Sequence, residues 1–256
     1  MVELKTESEI HAMRAAGRVV ADALAAVRAH ATVGVSLREL DAVAAHTIAE
    51  AGARPVFLNY RPHSAPYPFP GVICASVNDA VAHGIPSNYR LRDGDLVSID
   101  GGATLDGWCG DAAISFVVGA SAPADDALIA STDEALRRGI AAAQPGNRLG
   151  DIGAAIGKYV RSLGYGLLAD HGGHGIGRVM HEDPHVPNEA RAGKGMRLRP
   201  GLVLAIEPML IADGSDDYRH DADGWTLRTV TGARAAHSEH TVAITDDGPV
   251  VLTARH

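Results

Sequence analysis

Four carboxylates stand at the ends of apolar segments that would otherwise read as buried strands. Asp100 closes DLVSID, Asp111 precedes AAISFVV, Glu207 closes GLVLAIE and Glu239 stands just before HTVAIT. Asp100 and Asp111 lie on either side of a turn signal, DGW, so two neighbouring strands would bring them near one point. Burying four such groups together without positive charge costs many kcal/mol and forces protonation. None of the quoted strand segments contains Lys or Arg, which makes divalent cations the economical counter-charge. His174 adds a nitrogen donor among Gly172, Gly173, Gly175 and Gly177, which allow close backbone approach. Oxygen-rich ligation with one imidazole suits Mn, Fe, Co or Zn better than Cu(I) or iron–sulfur chemistry. Five donors with four negative charges fit two divalent ions that share bridging carboxylates, about 3.5–4 Å apart. Asp111 alone would read more simply as a turn carboxylate; it is the set of five that points to a metal site.

Other motifs lead elsewhere. HEDPH at 181–185 has H-E-x-x-H spacing, but Pro184 and Pro187 disfavour the single helix turn that would aim both rings at one ion. DADG at 221–224 hints at a calcium loop, yet Arg219 and Val230 occupy its first and last ligand positions, so a hairpin turn is the better reading. The chain holds no G-x-S-x-G elbow and no phosphate-binding G-x-x-x-x-G-K-[ST] loop, and GGHGIG is not a dinucleotide fingerprint.

The elements that must position the acids can be sketched from periodicity and caps. Thr6 and Glu9 have capping-box spacing before a helical stripe of Ile10, Met13, Val20, Leu24 and Val27. Ser36 and Glu39 repeat that signal before Leu37, Leu40, Ala44 and Ile48, with Gly52 as the stop. Further helices are expected near 124–143 and 148–163. Strands are expected at 73–77, 95–100, 112–118, 201–207, 225–230 and 240–245. Arg61 to Val72 carries four prolines and must be a loop, either ordered or a mobile rim. The chain also echoes itself. RLRDGDLVSID resembles RLRPGLVLAIE, AHGIP resembles GHGIG, and the segment 34–52 aligns with 146–164. The order of the matches predicts one 1–256 domain of two pseudo-symmetric α+β halves, roughly 1–120 and 121–256, with a cleft where equivalent strand ends meet.

Composition narrows the class. The 256 residues carry a net charge of −8 and are 46% hydrophobic and 21% charged, which suits a globular fold and argues against a general nucleic-acid grip. Two cysteines, Cys74 and Cys109, make no disulfide scaffold. There is no membrane-length apolar run, and the N-terminus lacks the layout of a signal peptide, so a cytoplasmic protein is expected.

Taken together, NDAVAHGIP, SIDGG…DGWCGD, GGHGIG…MHEDP, IEPM, DGWT and EHT resemble the motifs of type I methionine aminopeptidases, metallopeptidases of the pita-bread fold. The likeness spans essentially the whole chain. It implies a central antiparallel sheet with flanking helices. It implies Asp100, Asp111, His174, Glu207 and Glu239 as ligands of two divalent cations, with Asp111 and Glu239 bridging. It places His83 at the substrate amine or scissile amide and His181 at the carbonyl oxygen, and gives Glu207 a proton-shuttling role. By motif position, Phe69, Cys74, Met180 and Trp225 would line a methionine pocket, whose soft apolar character suits a thioether. The implied reaction removes the N-terminal methionine of nascent proteins, favouring a small second residue. Only 25 residues separate His181 from Glu207, too few for the helical insertion of type II enzymes, and no Cys-rich extension is present. The alternatives are an X-Pro aminopeptidase and a non-catalytic pita-bread binding module; intact ligands oppose the second. A monomer is the default state. Charge gives no help to RNA binding, and leaves open a local basic face for docking on ribosomes. The chain departs from the family pattern at His237-Ser238, where Gln and an aromatic are usual, and in its longer Pro-rich loop 61–70.

Overall fold

The computed structural model describes residues 2–62 and 65–254. Two helices come first, α1 (Glu7–His30) and α2 (Leu37–Glu50). They are followed by strands β1 (Arg54–Pro55), β2 (Ile73–Val77), β3 (Ala80–Ala82), β4 (Leu96–Leu105) and β5 (Trp108–Val117). Helices α3 (Pro123–Ala142) and α4 (Leu149–Ser162) open the second part, before β6 (Gly166–Leu167), β7 (Gly172–Gly175), β8 (Glu182–Pro187), β9 (Val203–Ile206) and β10 (Met209–Ile211). The chain closes with β11 (Tyr218–His220), β12 (Leu227–Thr229), β13 (Ala235–His237), β14 (Glu239–Thr245) and β15 (Gly248–Val251).

Both expected capping boxes form. The Thr6 amide donates to Glu9 Oε2 at 2.8 Å, and the Ser36 amide donates to Glu39 Oε2 at 2.8 Å. The helix stripes then bury as their spacing requires: Met13, Val20, Leu24 and Val27 on α1, and Leu37, Leu40, Ala44 and Ile48 on α2. The largest sheet runs β1-β4-β5-β14-β9-β7-β8, with β2 added to β4 and β15 to β14, and its recorded pairings are antiparallel. Ile99, Ala112, Ile114 and Phe116 on one face pack in a core with α1 and α2. Leu204, Ile206, Val242 and Ile244 pack in a second core with α3 and α4. Helices thus cover one face of the sheet, and side chains of alternate register lie on the other. This is the α+β architecture expected from the sequence.

The halves echo one another in detail. Ser36 bridges Arg90 and Arg148 bridges Arg197, at matching places in the repeat. The matched pairs Gly34 and Gly146, and Gly94 and Gly201, adopt similar positive φ of 91° and 94°, and 81° and 91°. Two expected strands prove longer than their apolar runs. β4 continues through Gly101 and Gly102 to Leu105, and β5 starts at Trp108 rather than 112. The reason is the tightness of the turn: Asp106 (φ 51°) and Gly107 (φ 77°) make the whole connection, so the hairpin ladder runs on through the glycines. HEDPH lies at the start of β8, not on a helix, and DADG is the hairpin turn between β11 and β12. No described helix is long and apolar enough to cross a membrane.

Candidate active site

The acids are gathered by register. On β4 and β5, Asp100 pairs with Ala113 and Gly102 with Asp111, so the two aspartates are diagonal neighbours on one face. On the far side of β5, Glu239 of β14 pairs with the same Ala113. β14 pairs His240 with Ile206 of β9, which sets Glu207 alongside Glu239. β9 pairs Leu204 with Gly175 of β7, which brings His174 into the same face. Five residues spread over 140 positions of sequence therefore meet as one row across five strands. Glycine and alanine make the room: a Cβ on Gly102 would lie 3.1 Å from Asp111 Oδ1 and 2.6 Å from Val56 Cγ2. Thr241 locks the bridge between β5 and β14, accepting from the Asp111 amide at 2.9 Å and donating to the Asp111 carbonyl at 2.8 Å.

The electrostatics are those of crowded, desolvated acids. Burial pushes Asp100, Asp111 and Glu239 well above the usual carboxylate range; repulsion from Glu207 pushes all three further, and Asp111 and Glu239 are also raised by the neighbouring aspartates. Burial raises Glu207 from 4.5 to about 8. Asp100 Oδ1, Asp111 Oδ1 and Glu239 Oε1 are buried without a hydrogen-bond partner. Each such atom costs about 1–3 kcal/mol unless something satisfies it. A divalent cation does so, and the donors stand close enough. Ligand atoms of Asp111, His174 and Glu239 lie within 4.8 Å of one another, as do those of Glu207, His237 and Glu239. The two triads share Glu239. Among the described residues, lysine and arginine are absent from the cavity lining, so none of them competes as a resident cation.

His174 is oriented for ligation. Its Nδ1 lies 2.8 Å from the Gly175 carbonyl, which can only accept, so Nδ1 carries the proton and Nε2 is left with a free lone pair. That Nε2 lies 3.7 Å from Glu207 Oε1. Burial lowers His174, His83 and His237 from 6.5 to about 3, which keeps all three neutral and able to act as donors of a lone pair. His181 stands at the cleft mouth, with Nδ1 2.8 Å from the Tyr60 hydroxyl and its ring 4.2 Å from that of His174. His83 sits at φ 57°, a left-handed conformation that costs a non-glycine residue energy.

The row of acids forms the wall of a cavity of about 450 Å³, which His83, His174 and His181 also line. Phe69, Cys74, Met180 and Trp225 come together at its apolar end in one buried cluster, with Phe57 as a fifth member. Phe69 meets Trp225 edge-on at 5.1 Å. Cys74 pairs with Asp100 across β2 and β4, and burial next to that carboxylate raises its thiol well above the usual range, which suits a wall rather than a nucleophile. Phe57, Tyr60 and His171 also line the cavity and were not singled out by the sequence. The Pro-rich loop is tied at its neck, where Phe69 donates to the Tyr60 carbonyl at 2.8 Å, and at its tip, where Trp225 Nε1 donates to the Tyr67 carbonyl at 3.2 Å. Residues 63 and 64 of the 61–70 loop lie outside the described residues.

Comparison with known proteins agrees with this geometry. The model of metallopeptidase family M24 matches residues 11–246. Methionine aminopeptidase 1 of Mycobacterium tuberculosis is 52% identical over 260 residues, covering 99% of this chain and 95% of that protein. The methionine aminopeptidase of Aquifex aeolicus is 42% identical over 255 residues and covers 98% of each. Among solved structures, the methionine aminopeptidase of Thermotoga maritima matches with a TM-score of 0.94 at 38% identity, over 100% of both chains. Prolidase from Pyrococcus furiosus shares the fold, with a TM-score of 0.79 at 24% identity over 99% of this chain and 66% of that one.

Proposed function

This chain belongs to metallopeptidase family M24 and uses a divalent metal, and from that premise we propose that it removes the N-terminal methionine from peptides and nascent proteins. The observation that carries the reading is the row of Asp100, Asp111, Glu207 and Glu239 with His174, facing a cavity that ends in an apolar cluster. In this reading those five residues would hold two ions drawn from Co, Mn, Fe and Zn. Bound there, the ions supply Lewis acidity and lower the pKa of water at the site.

The chain's own residues do the rest. The apolar end takes the methionine side chain: Phe69, Cys74, Met180 and Trp225 bury a thioether without offering it a charge. In this reading a free α-amino group would be held beside the metal-bearing row, which restricts cleavage to the first residue. Glu207, beside Glu239 in the row, can pass a proton between water and the departing amine. His181 at the cleft mouth donates toward the developing oxyanion. His83, which lines the cavity, serves the substrate amine or the scissile amide in this reading. A small second residue is favoured in this reading, as the motif resemblance implies.

The same reading makes the two repeat-related halves, roughly 1–120 and 121–256, a single catalytic domain. It places the enzyme in the cytoplasm as a monomer acting on new chains, with docking at the ribosome as a further step. The test is hydrolysis of Met-Ala and Met-Gly peptides against X-Pro peptides, with Mn or Co added and products weighed by mass spectrometry. Release of methionine, abolished in Asp100→Asn, is expected. Cleavage only before proline would move the chain to the X-Pro class.

A further inference from the structure

His237 is where the sequence leaves the family pattern, and it is not a neutral exchange. It ends β13 and pairs with Met209 of β10. Its backbone is fixed on both sides by one hydroxyl: its amide donates to Ser115 Oγ at 3.0 Å, and Ser115 Oγ donates to its carbonyl at 2.9 Å. Ser238, next along, turns toward α3, where its hydroxyl donates to Asp133 Oδ1 at 2.5 Å. The imidazole therefore stays on the acidic side. Its side chain is only 3% exposed, and its Nε2 is buried with no hydrogen-bond partner. That atom lies 3.5 Å from Glu207 Oε2, while His174 Nε2 lies 3.7 Å from Glu207 Oε1. One carboxylate is thus flanked by two imidazole nitrogens, one near each oxygen.

We propose that His237 is a metal ligand, giving the site a second imidazole, on the ion held by Glu207 and Glu239. This rests on the metallopeptidase reading of the site. The donor atoms of Glu207, His237 and Glu239 lie within 4.8 Å of one another, against about 4.4 Å for two opposite bonds of ~2.2 Å to a single ion, so a shift of a few tenths of an ångström closes the set. His237 Nε2 is thus a buried, unpartnered nitrogen beside a carboxylate, and a cation bound between the two would satisfy it. A nitrogen-richer donor set favours Zn and Co over Mn more than an oxygen-rich one with a single imidazole does.

The test uses the full chain labelled with ¹⁵N-histidine, stripped of metal and titrated with Zn(II), followed by long-range ¹H–¹⁵N spectra. Two imidazole Nε2 signals, those of His174 and His237, are expected to move to the metal-bound position. In His237→Gln one remains, and chelator competition reads zinc affinity at least about tenfold weaker, with a smaller loss for Mn(II). A spectrum in which His174 moves and His237 does not, with zinc affinity unchanged in His237→Gln, overturns the proposal and leaves the metallopeptidase reading intact. A spectrum in which neither moves overturns both. The wild-type count of two against one decides the matter even where the variant is unstable, and a melting curve of the metal-free variant reports that separately.

Discussion

The Tyr60 hydroxyl lies 2.8 Å from His181 Nδ1, at the mouth of the cleft. Burial raises the Tyr60 phenol above its ordinary value, so it remains a proton carrier throughout the working range. With that hydroxyl as donor, His181 carries its own proton on Nε2, the tautomer that can donate to an oxyanion. The two rings, 5.2 Å apart and tilted, also hold each other in place.

Replacing Tyr60 by Phe keeps the ring and removes the orienting bond. The expected result is a fall in kcat of about fivefold with little change in KM, the cost of losing one hydrogen bond of about 1 kcal/mol in the transition state. Steady-state kinetics on a Met-Ala peptide check this. A rise in KM alone would place Tyr60 in substrate binding instead.

Gly102→Ala tests the room made for the acids. The added methyl would meet Val56 Cγ2 at 2.6 Å and Asp111 Oδ1 at 3.1 Å. A loss of about 1–3 kcal/mol in stability is expected from the crowding, together with weaker metal binding as Asp111 is displaced. Denaturant unfolding and metal titration read the two effects separately.

Stability of the metal-free protein should depend on pH in opposite senses at the two ends. Glu207 rises from 4.5 to about 8 on folding, so its protonated form favours the folded state, and that contribution is lost as pH climbs toward 8. His83, His174 and His237 fall from 6.5 to about 3, so their contribution is present above 6.5 and is lost as pH drops toward 3. Between 6.5 and 8 the acids alone set the trend, and the metal-free melting temperature should decline there. Saturating divalent metal should reverse that decline, since it binds the deprotonated carboxylates of the folded state. At a hundred times the dissociation constant the gain is about 2.7 kcal/mol. Calorimetric melts with and without chelator measure it.

Cys74→Phe probes the methionine pocket. Cys74 is 6% exposed among Phe57, Phe69, Met180 and Trp225, and a larger ring there takes the space of the substrate thioether. KM for methionyl peptides should rise tenfold or more, while Zn binding stays within a few-fold. Unchanged KM would move the methionine side chain to another part of the cavity.

Much of this was legible in the sequence because the informative residues violate their surroundings. Asp100 and Glu239 stand at the ends of apolar strands, and nothing but chemistry explains acids there. The capping residues Thr6, Glu9, Ser36 and Glu39 marked helix starts through purely local bonds, which sequence encodes directly. The strand ends were less legible. β4 and β5 extend past Gly101 and Gly110 because the Asp106-Gly107 turn continues the ladder, whereas glycine on its own reads as a stop. Tyr60 and Phe57 escaped notice because they reach the cavity only through the fold of the Pro-rich loop, whose neck bonds Tyr60 to Phe69 across nine positions. His237 was visible as a departure, but its meaning depends on a distance to Glu207, thirty residues away in sequence and settled by how β9, β13 and β14 pack.

The central claim is that acids from separate strands, with an imidazole, jointly hold divalent ions. It is tested most directly by counting the metal bound to the chelated and re-metallated protein, by equilibrium dialysis and elemental analysis, for wild type, Asp100→Asn and Glu239→Gln. Wild type should bind up to two equivalents of Mn(II) or Co(II), and each variant should bind fewer or bind far more weakly. Equal binding by all three proteins, or no binding by wild type, would contradict it.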